Sequence, residues 1–229
     1  MLGTKRIACA AFTIAASVLC QNHLFAGETL RVGGTGAANE MVKSLGALMK
    51  AETGITVELV PNLGTAGGNS ALAEGVIDLS VAGRAPDPAE TARGLTAAAE
   101  FRTPFGFATS HPAPNGLKSA EIAALYRSDN PVWADGTPMR IILRPSNESD
   151  TGLLGRLFPD MVAGIAAARK RADLSVAASD QDNAELAEKT PGSLVGMTIT
   201  QATSEKRNLR FVTLDGVAPS LASYENGTY

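Results

Sequence analysis

The chain has 229 residues, with 20 basic against 23 acidic side chains and a formal net charge of −3. That balance excludes a nucleic-acid binder held by a basic surface. Both cysteines, Cys9 and Cys20, lie near the N-terminus, inside a segment unlike the rest of the chain.

In that segment Lys5 and Arg6 precede an apolar run from Ile7 to Cys20, and the small residues Ala26 and Gly27 follow. This is the pattern of a secretory leader, so residues 1–26 are expected to be a signal peptide removed on export. The apolar run is shorter than the ~20 residues that span a bilayer. A mature chain without Cys9 and Cys20 has no disulfide, thiolate nucleophile or cysteine metal site.

From Leu30 the chain alternates strand and helix patterns. Leu30 to Val32 reads as a short strand running into Gly33-Gly34-Thr35-Gly36-Ala37. The helical pattern that follows carries Met41, Val42, Leu45, Leu48 and Met49 at apolar spacing and stops at Gly54, a C-terminal cap. The layout recurs with a strand from Thr56 to Val60, a turn from Gly64 to Gly68 and a helix through Leu72. A third strand, Val76 to Ala82, leads through Arg84 to Asp87-Pro88-Ala89-Glu90. There Asp as cap, Pro at the first helical position and Glu three residues on announce another helix.

Phe105 to Thr109 is strand-like, and His111 to Gly116 is a Pro-rich breaker run. Ser119 to Tyr126 reads as helix, Asn130 to Pro138 as a loop holding Trp133, and Met139 to Arg144 as a buried strand. Next comes Pro145-Ser146-Asn147-Glu148-Ser149-Asp150-Thr151-Gly152, with helix-compatible residues from Leu153. Met161 to Arg171 and Asp182 to Lys189 are helical, the latter stopped by Thr190-Pro191-Gly192. Leu194 to Thr200 and Leu209 to Thr213 are two further strands, while Tyr126 and Trp133 are expected to be packing residues. Strands alternating with helices argue for mainly parallel, doubly wound sheets, whose ligands sit beyond the carboxyl ends of the strands.

Three loops therefore carry the chemistry. In the Gly64 to Gly68 turn, glycine lets the backbone approach a ligand, Thr65 offers a hydroxyl and the first helical N–H groups are unpaired, a suitable setting for an anion. Arg84 and Arg144 each follow an apolar strand where such a sheet opens, and a guanidinium offers a fixed fork for an oxyanion. The plainer reading is that the glycines serve only their dihedrals, that Ser149, Asp150 or Thr151 caps a helix, and that the arginines pair with carboxylates such as Asp87 or Glu148.

The order of G-G-T-G-A, E-T-G, G-T-A-G-G, V-I-D-L-S-V-A-G-R-A-P, L-K-S-A-E-I-A-A-L-Y, the arginine and S-D-T loop, P-G-S-L-V-G-M, L-D-G-V-A-P-S and N-G-T-Y resembles the phosphate-binding component of the phosphate ABC transporter. The resemblance covers nearly the whole mature chain. It implies an α/β, type II periplasmic-binding-protein fold: two doubly wound lobes around a ligand cleft, lobe 1 from residues 27–108 with 192–229 and lobe 2 from 109–191. It further implies a periplasmic monomer that holds phosphate or a similar small oxyanion and delivers it to a membrane permease, with no cofactor or metal. The candidate contacts are then Thr35, Gly36 and Ala37 in the first turn, Gly64, Thr65 and Ala66 in the second, Arg84, and Arg144, Ser149, Asp150 and Thr151 from the other lobe. Arg84 and Arg144 are expected to face one anion from opposite lobes.

The chain departs from the family pattern in three places. Arg84 stands where the family carries an aspartate that accepts the proton of hydrogen phosphate, and the loop after Arg144 is one residue longer. The family's closing strand and helix have no counterpart after Tyr229, which fits either a fragment or a chain that dispenses with that tail. An enzyme would need a nucleophile with a base, or a metal cluster, and the one histidine of the mature chain, His111, stands in a Pro-rich turn with no acid pair beside it in sequence. A sensory or adhesive module of the same fold, with a different anionic ligand, is the alternative.

Overall fold

Two sheets, of three and five strands, divide the chain in a computed structural model that describes residues 27–229. The signal-peptide reading for residues 1–26 lies outside the described residues. The first sheet contains β1 (Thr29–Gly34), β2 (Thr56–Val60) and β3 (Leu79–Val81), all parallel, in the order β2-β1-β3. Between them run α1 (Asn39–Thr53), preceded by a 3₁₀ turn at Gly36–Ala38, and α2 (Gly64–Ala73); α3 (Pro88–Ala92) follows β3. Helix α1 stops at Gly54, whose φ of 79° and N–H bond to the Lys50 carbonyl make the C-cap that the sequence implies. The Asp87 to Glu90 capping box of α3 also forms.

The apolar stripe expected on α1 is only partly used. Val42 is buried, but Leu45 and Leu48 are 50 % and 60 % exposed. The helix instead lies on β2 through Gly46, where a Cβ would come 2.8 Å from the Val57 side chain. A small residue allows that close approach, and the larger leucines at the helix edge are left facing out.

The second sheet orders β6-β5-β7-β4-β8, with β4 Phe105–Thr109, β5 Arg140–Leu143, β6 Ser175–Val176, β7 Ser193–Thr198 and β8 Arg210–Phe211. Its helices are α4 (Ile122–Arg127), α5 (Ser149–Leu157), α6 (Met161–Ala168), α7 (Asp180–Lys189), α8 (Ile199–Ser204) and α9 (Leu221–Glu225). Strands β5, β6 and β7 run parallel, while β4 is antiparallel to both β7 and β8. Alternation across the pleat builds two cores. Phe107, Ile141, Leu143 and Leu194 join Ile122, Tyr126, Trp133 and Met161 on one face. Ala108, Ile142, Val195 and Met197 join Ala184 and Ala187 of α7 on the other.

This pairing changes the expected lobe boundaries. Strands β7 and β8, assigned with 192–229 to lobe 1, pair in the second sheet, and so does β4 at the end of 27–108. The physical reason is burial: β7 buries Leu194, Val195 and Met197 on both faces, which requires a central position between covered layers. Helix α8 nevertheless leans back onto α1. The winding of β5, β6 and β7 repeats that of β1, β2 and β3, with the first strand central in each. The carboxyl ends of the two parallel sets supply all the loops described next.

Candidate functional site

On the first-lobe side, β1 ends at Gly34, and the chain turns through Thr35 into the 3₁₀ turn. Strand β2 ends in a loop where Asn62 (φ 61°) and Gly64 (φ 63°) take left-handed conformations and deliver the chain into α2. Gly68, expected to let backbone approach a ligand, serves packing: a Cβ there would come 2.6 Å from the Gly34 Cα, so its absence lets α2 sit directly on β1. Thr65 is buried, and its Oγ1 accepts the Gly83 N–H at 2.9 Å. Ala66 follows it in the first turn of α2.

On the second-lobe side, Arg144 directly follows β5 and is only 7 % exposed. Its Nη1 donates to the Ala177 carbonyl at 2.8 Å and its Nη2 to Asp180 Oδ1 at 3.4 Å. Glu148 lies 3.5 Å from Nη2 and Asp150 3.9 Å from Nε. Nε itself is buried and has no hydrogen-bond acceptor among the described residues. Burial and the charge of Asp180 push the Asp150 carboxyl up to about 7 against the pull of Arg144, with Glu148 adding a smaller push. Arg169 is fixed in the same region by donating to the Arg144 carbonyl.

Helix α5 starts at Ser149, four residues before the expected Leu153. Its first residues lean on the first lobe: a Cβ on Gly83 would come 2.6 Å from Ser149 Oγ, and one on Gly64 would come 3.2 Å from Glu148 Oε1. Thr151 Oγ1 instead donates to the Pro145 carbonyl at 2.9 Å, closing its own loop.

Three residues outside the expected set join the site. Asp180, first residue of α7, is 6 % exposed and accepts the Ala37 N–H on Oδ2 at 3.0 Å, with Thr35 Oγ1 3.5 Å away. Gln181 Nε2 donates to the Gly36 carbonyl at 2.8 Å. Glu148 faces Arg144 as described. The Ser179 to Asp182 capping box, which forms at the start of α7, is a sequence signal for the helix start where Asp180 stands, though not for its contacts with the first lobe.

Between these loops lies a cavity of about 50 Å³ lined by Gly36, Asn62, Leu63, Gly64, Arg144, Glu148, Ala178, Ser179, Asp180 and Gln181. One water-sized group needs about 10–15 Å³ by the same kind of measure, so the space suits a ligand of a few atoms. A smaller void of about 10 Å³ on the other side of Arg144 touches Asp150, Thr151 and Arg169. Of the expected contacts, Gly36, Gly64 and Arg144 line the larger cavity, Arg144, Asp150 and Thr151 line the smaller void, and Thr35, Ala37, Thr65, Ala66 and Ser149 line neither.

Arg84 is not among the residues lining either cavity. Its Nη1 and Nη2 grip Glu90 at 2.6 and 2.8 Å, and Asp87 lies 3.6 Å away. The expectation that Arg84 faces Arg144 across one anion is corrected accordingly: the capping acid of α3, six residues along the chain, is the nearer partner. His111 is a packing residue, its ring tilted against Trp133 with centroids 5.1 Å apart, its Nδ1 accepting the Ala113 N–H and its Nε2 beside Asp135 and Thr137. Among the described residues, no cluster of three or more His, Cys, Asp or Glu side chains could hold a metal ion, and no helix is long and apolar enough to cross a membrane.

A family model described as the PBP superfamily domain matches residues 21–229. No curated protein matches the sequence. The fold is similar to that of a protein from Clostridium perfringens assigned as a phosphate ABC transporter substrate-binding protein and solved with bound phosphate. That match has a TM-score of 0.71 at 14 % identity and covers 88 % of this chain and 82 % of that one. It is also similar to an ABC-type phosphate transport receptor from Vibrio cholerae (TM-score 0.54, 15 % identity, 88 % and 83 % covered). A third is the periplasmic molybdate-binding protein of Azotobacter vinelandii (TM-score 0.53, 12 % identity, 86 % and 81 % covered). With two wound α/β units meeting at a cleft and a family model spanning every described residue, the chain belongs to the PBP superfamily.

Proposed function

We propose that this protein is a non-enzymatic solute-binding protein that takes phosphate or a similar small oxyanion into the cleft between its two sheets. In this reading it works in the periplasm after loss of its leader, and passes its ligand to the membrane permease of an ABC transporter. The observation that carries the proposal is Arg144: a guanidinium nine-tenths buried, whose Nε has no hydrogen-bond acceptor and only the Asp150 carboxylate 3.9 Å away, placed where strand-end loops of both sheets converge on a cavity of about 50 Å³. A buried donor without an acceptor is costly and calls for a partner. A guanidinium also matches an oxyanion in charge and geometry.

The backbone supports the same ligand class. Gly36 in the turn into α1, Glu148 at the N-cap of α5, and Ser179 to Gln181 at the start of α7 all line the cavity, so the starts of three helical segments border it. Hinge closure would follow from an anion bridging the Thr35 to Ala37 turn of one lobe and Arg144 of the other, with differential contact as its driving force.

The test is a thermal-shift and calorimetric panel with phosphate, a phosphonate, sulfate, molybdate and small carboxylates. A ligand that binds the native state must raise its stability. Phosphate or another oxyanion is expected to do so; a response only to carboxylates, or to none, would replace this reading.

A further inference from the structure

The anion donors of the cleft already have an anion. Asp180 Oδ2 accepts the Ala37 N–H at 3.0 Å and stands 3.5 Å from Thr35 Oγ1, while Oδ1 stands 3.4 Å from Arg144 Nη2. Asp180 belongs to α7 and the second sheet; Thr35 and Ala37 belong to the first. One carboxylate therefore joins donors from both lobes, as the proposed oxyanion would. Its placement is firm, because the Asp180 carbonyl is held by Gln201 Nε2 at 2.9 Å and the neighbouring Gln181 side chain bonds the Gly36 carbonyl and Glu205. The fit is tight as well: a Cβ on Gly36 would come 2.8 Å from Asp180 Oδ2.

We propose that Asp180 is an affinity-setting residue, a built-in carboxylate that occupies the oxyanion donors of the cleft and must be displaced when ligand binds. This rests on the oxyanion reading above and deepens it. A carboxylate and an oxyanion present the same kind of acceptor to an N–H or guanidinium. The Ala37 N–H offers one proton and cannot serve both. Two anions side by side on these donors would also repel in a site that already holds Glu148. The ligand thus binds the fraction of molecules in which Asp180 has let go, and its apparent affinity is lowered by that fraction. The arrangement favours ligands that out-compete a carboxylate for N–H donors and disfavours weak acceptors.

The experiment measures inorganic phosphate binding by calorimetry on the full chain, wild type and three variants, and amide exchange at Ala37 before phosphate is added. Asp180→Asn keeps the shape and removes the charge; Asp180→Ala removes the acceptor as well. Both are expected to bind phosphate about tenfold or more tightly than wild type, a change of about 1.4 kcal/mol or more. The Ala37 amide is expected to be protected from exchange in wild type and to lose that protection in Asp180→Ala. Gln181→Ala breaks a bond across the same interface without freeing an anion donor, and is expected to tighten binding less. An unprotected Ala37 amide in wild type overturns the proposal, as does equal tightening in Gln181→Ala. Phosphate binding that is measurable in wild type but unchanged or weaker in both Asp180 variants overturns displacement alone. Absence of binding in wild type and all variants overturns the oxyanion reading together with it.

Discussion

Arg84 and Glu90 form a two-pronged ion pair, with both guanidinium nitrogens on the two carboxylate oxygens at 2.6 and 2.8 Å. Glu90 also accepts the Asp87 N–H at 2.8 Å, so one acid closes the capping box of α3 and anchors the arginine that follows β3. The Arg84 hydrogen bond holds the Glu90 carboxyl down at about 2, against the opposing effect of burial.

A carboxyl whose pKa is lowered on folding contributes stability above its unfolded value near 4.5, and that contribution is lost as pH falls toward about 2. Glu90→Gln is therefore expected to cost about 1 kcal/mol at pH 7, the scale of a partly exposed pair, and progressively less below pH 4. Urea denaturation of both proteins at pH 7 and pH 3 measures the difference; an equal cost at both values would contradict the ion-pair account.

Arg84→Ala is expected to lower stability by a similar amount, yet to leave oxyanion affinity within about twofold of wild type. The side chain is spent on Glu90 of α3 and lines neither cavity. Calorimetry with phosphate decides the matter, and a tenfold loss would return Arg84 to the cleft.

Arg144→Ala is expected to weaken oxyanion binding tenfold or more and to destabilise the fold by about 3 kcal/mol. It removes the guanidinium from between Glu148, Asp150 and Asp180 and strips the Ala177 carbonyl of its donor. Arg144→Lys is expected to recover little of either, since an ammonium lacks the planar fork. Chemical denaturation and calorimetry read the two losses separately.

Asp150 gives a titration of opposite sign to that of Glu90. Its carboxyl is raised to about 7, chiefly by burial and by Asp180. The protonated form is the one that the fold favours, so the associated stability is complete below the unfolded value near 3.8 and is lost as pH rises through about 7. Arg144 lies 3.9 Å from the group, Asp180 and Glu148 act on it by their charge around the same arginine, and Arg169 borders the same void. Asp150→Asn is expected to melt at a higher temperature than wild type at pH 8 and at nearly the same temperature at pH 4. A gap that does not widen between those two pH values would contradict this.

The sequence alone determined the features that depend on neighbours along the chain. Gly54 ends α1 because a left-handed C-cap suits glycine, Asp87-Pro88-Ala89-Glu90 starts α3 because its caps lie within one turn, and the alternation of strand and helix specifies wound, parallel units. It also placed Thr35, Gly64 and Arg144 at strand ends, where such sheets expose their ligand loops. Tertiary structure decided what depends on partners far apart in sequence. A strand buried on both faces, such as β7, carries no mark of which sheet it joins, and only pairing with β5 and β4 assigns it to the second. Arg84 and Arg144 look alike as arginines after apolar strands; the reach of Glu90 removes one from the cleft, and burial among three carboxylates keeps the other there. Asp180 stands 143 residues from the Ala37 N–H that it accepts, and a contact at that separation is set by how two lobes pack, for which a single sequence holds no local signal.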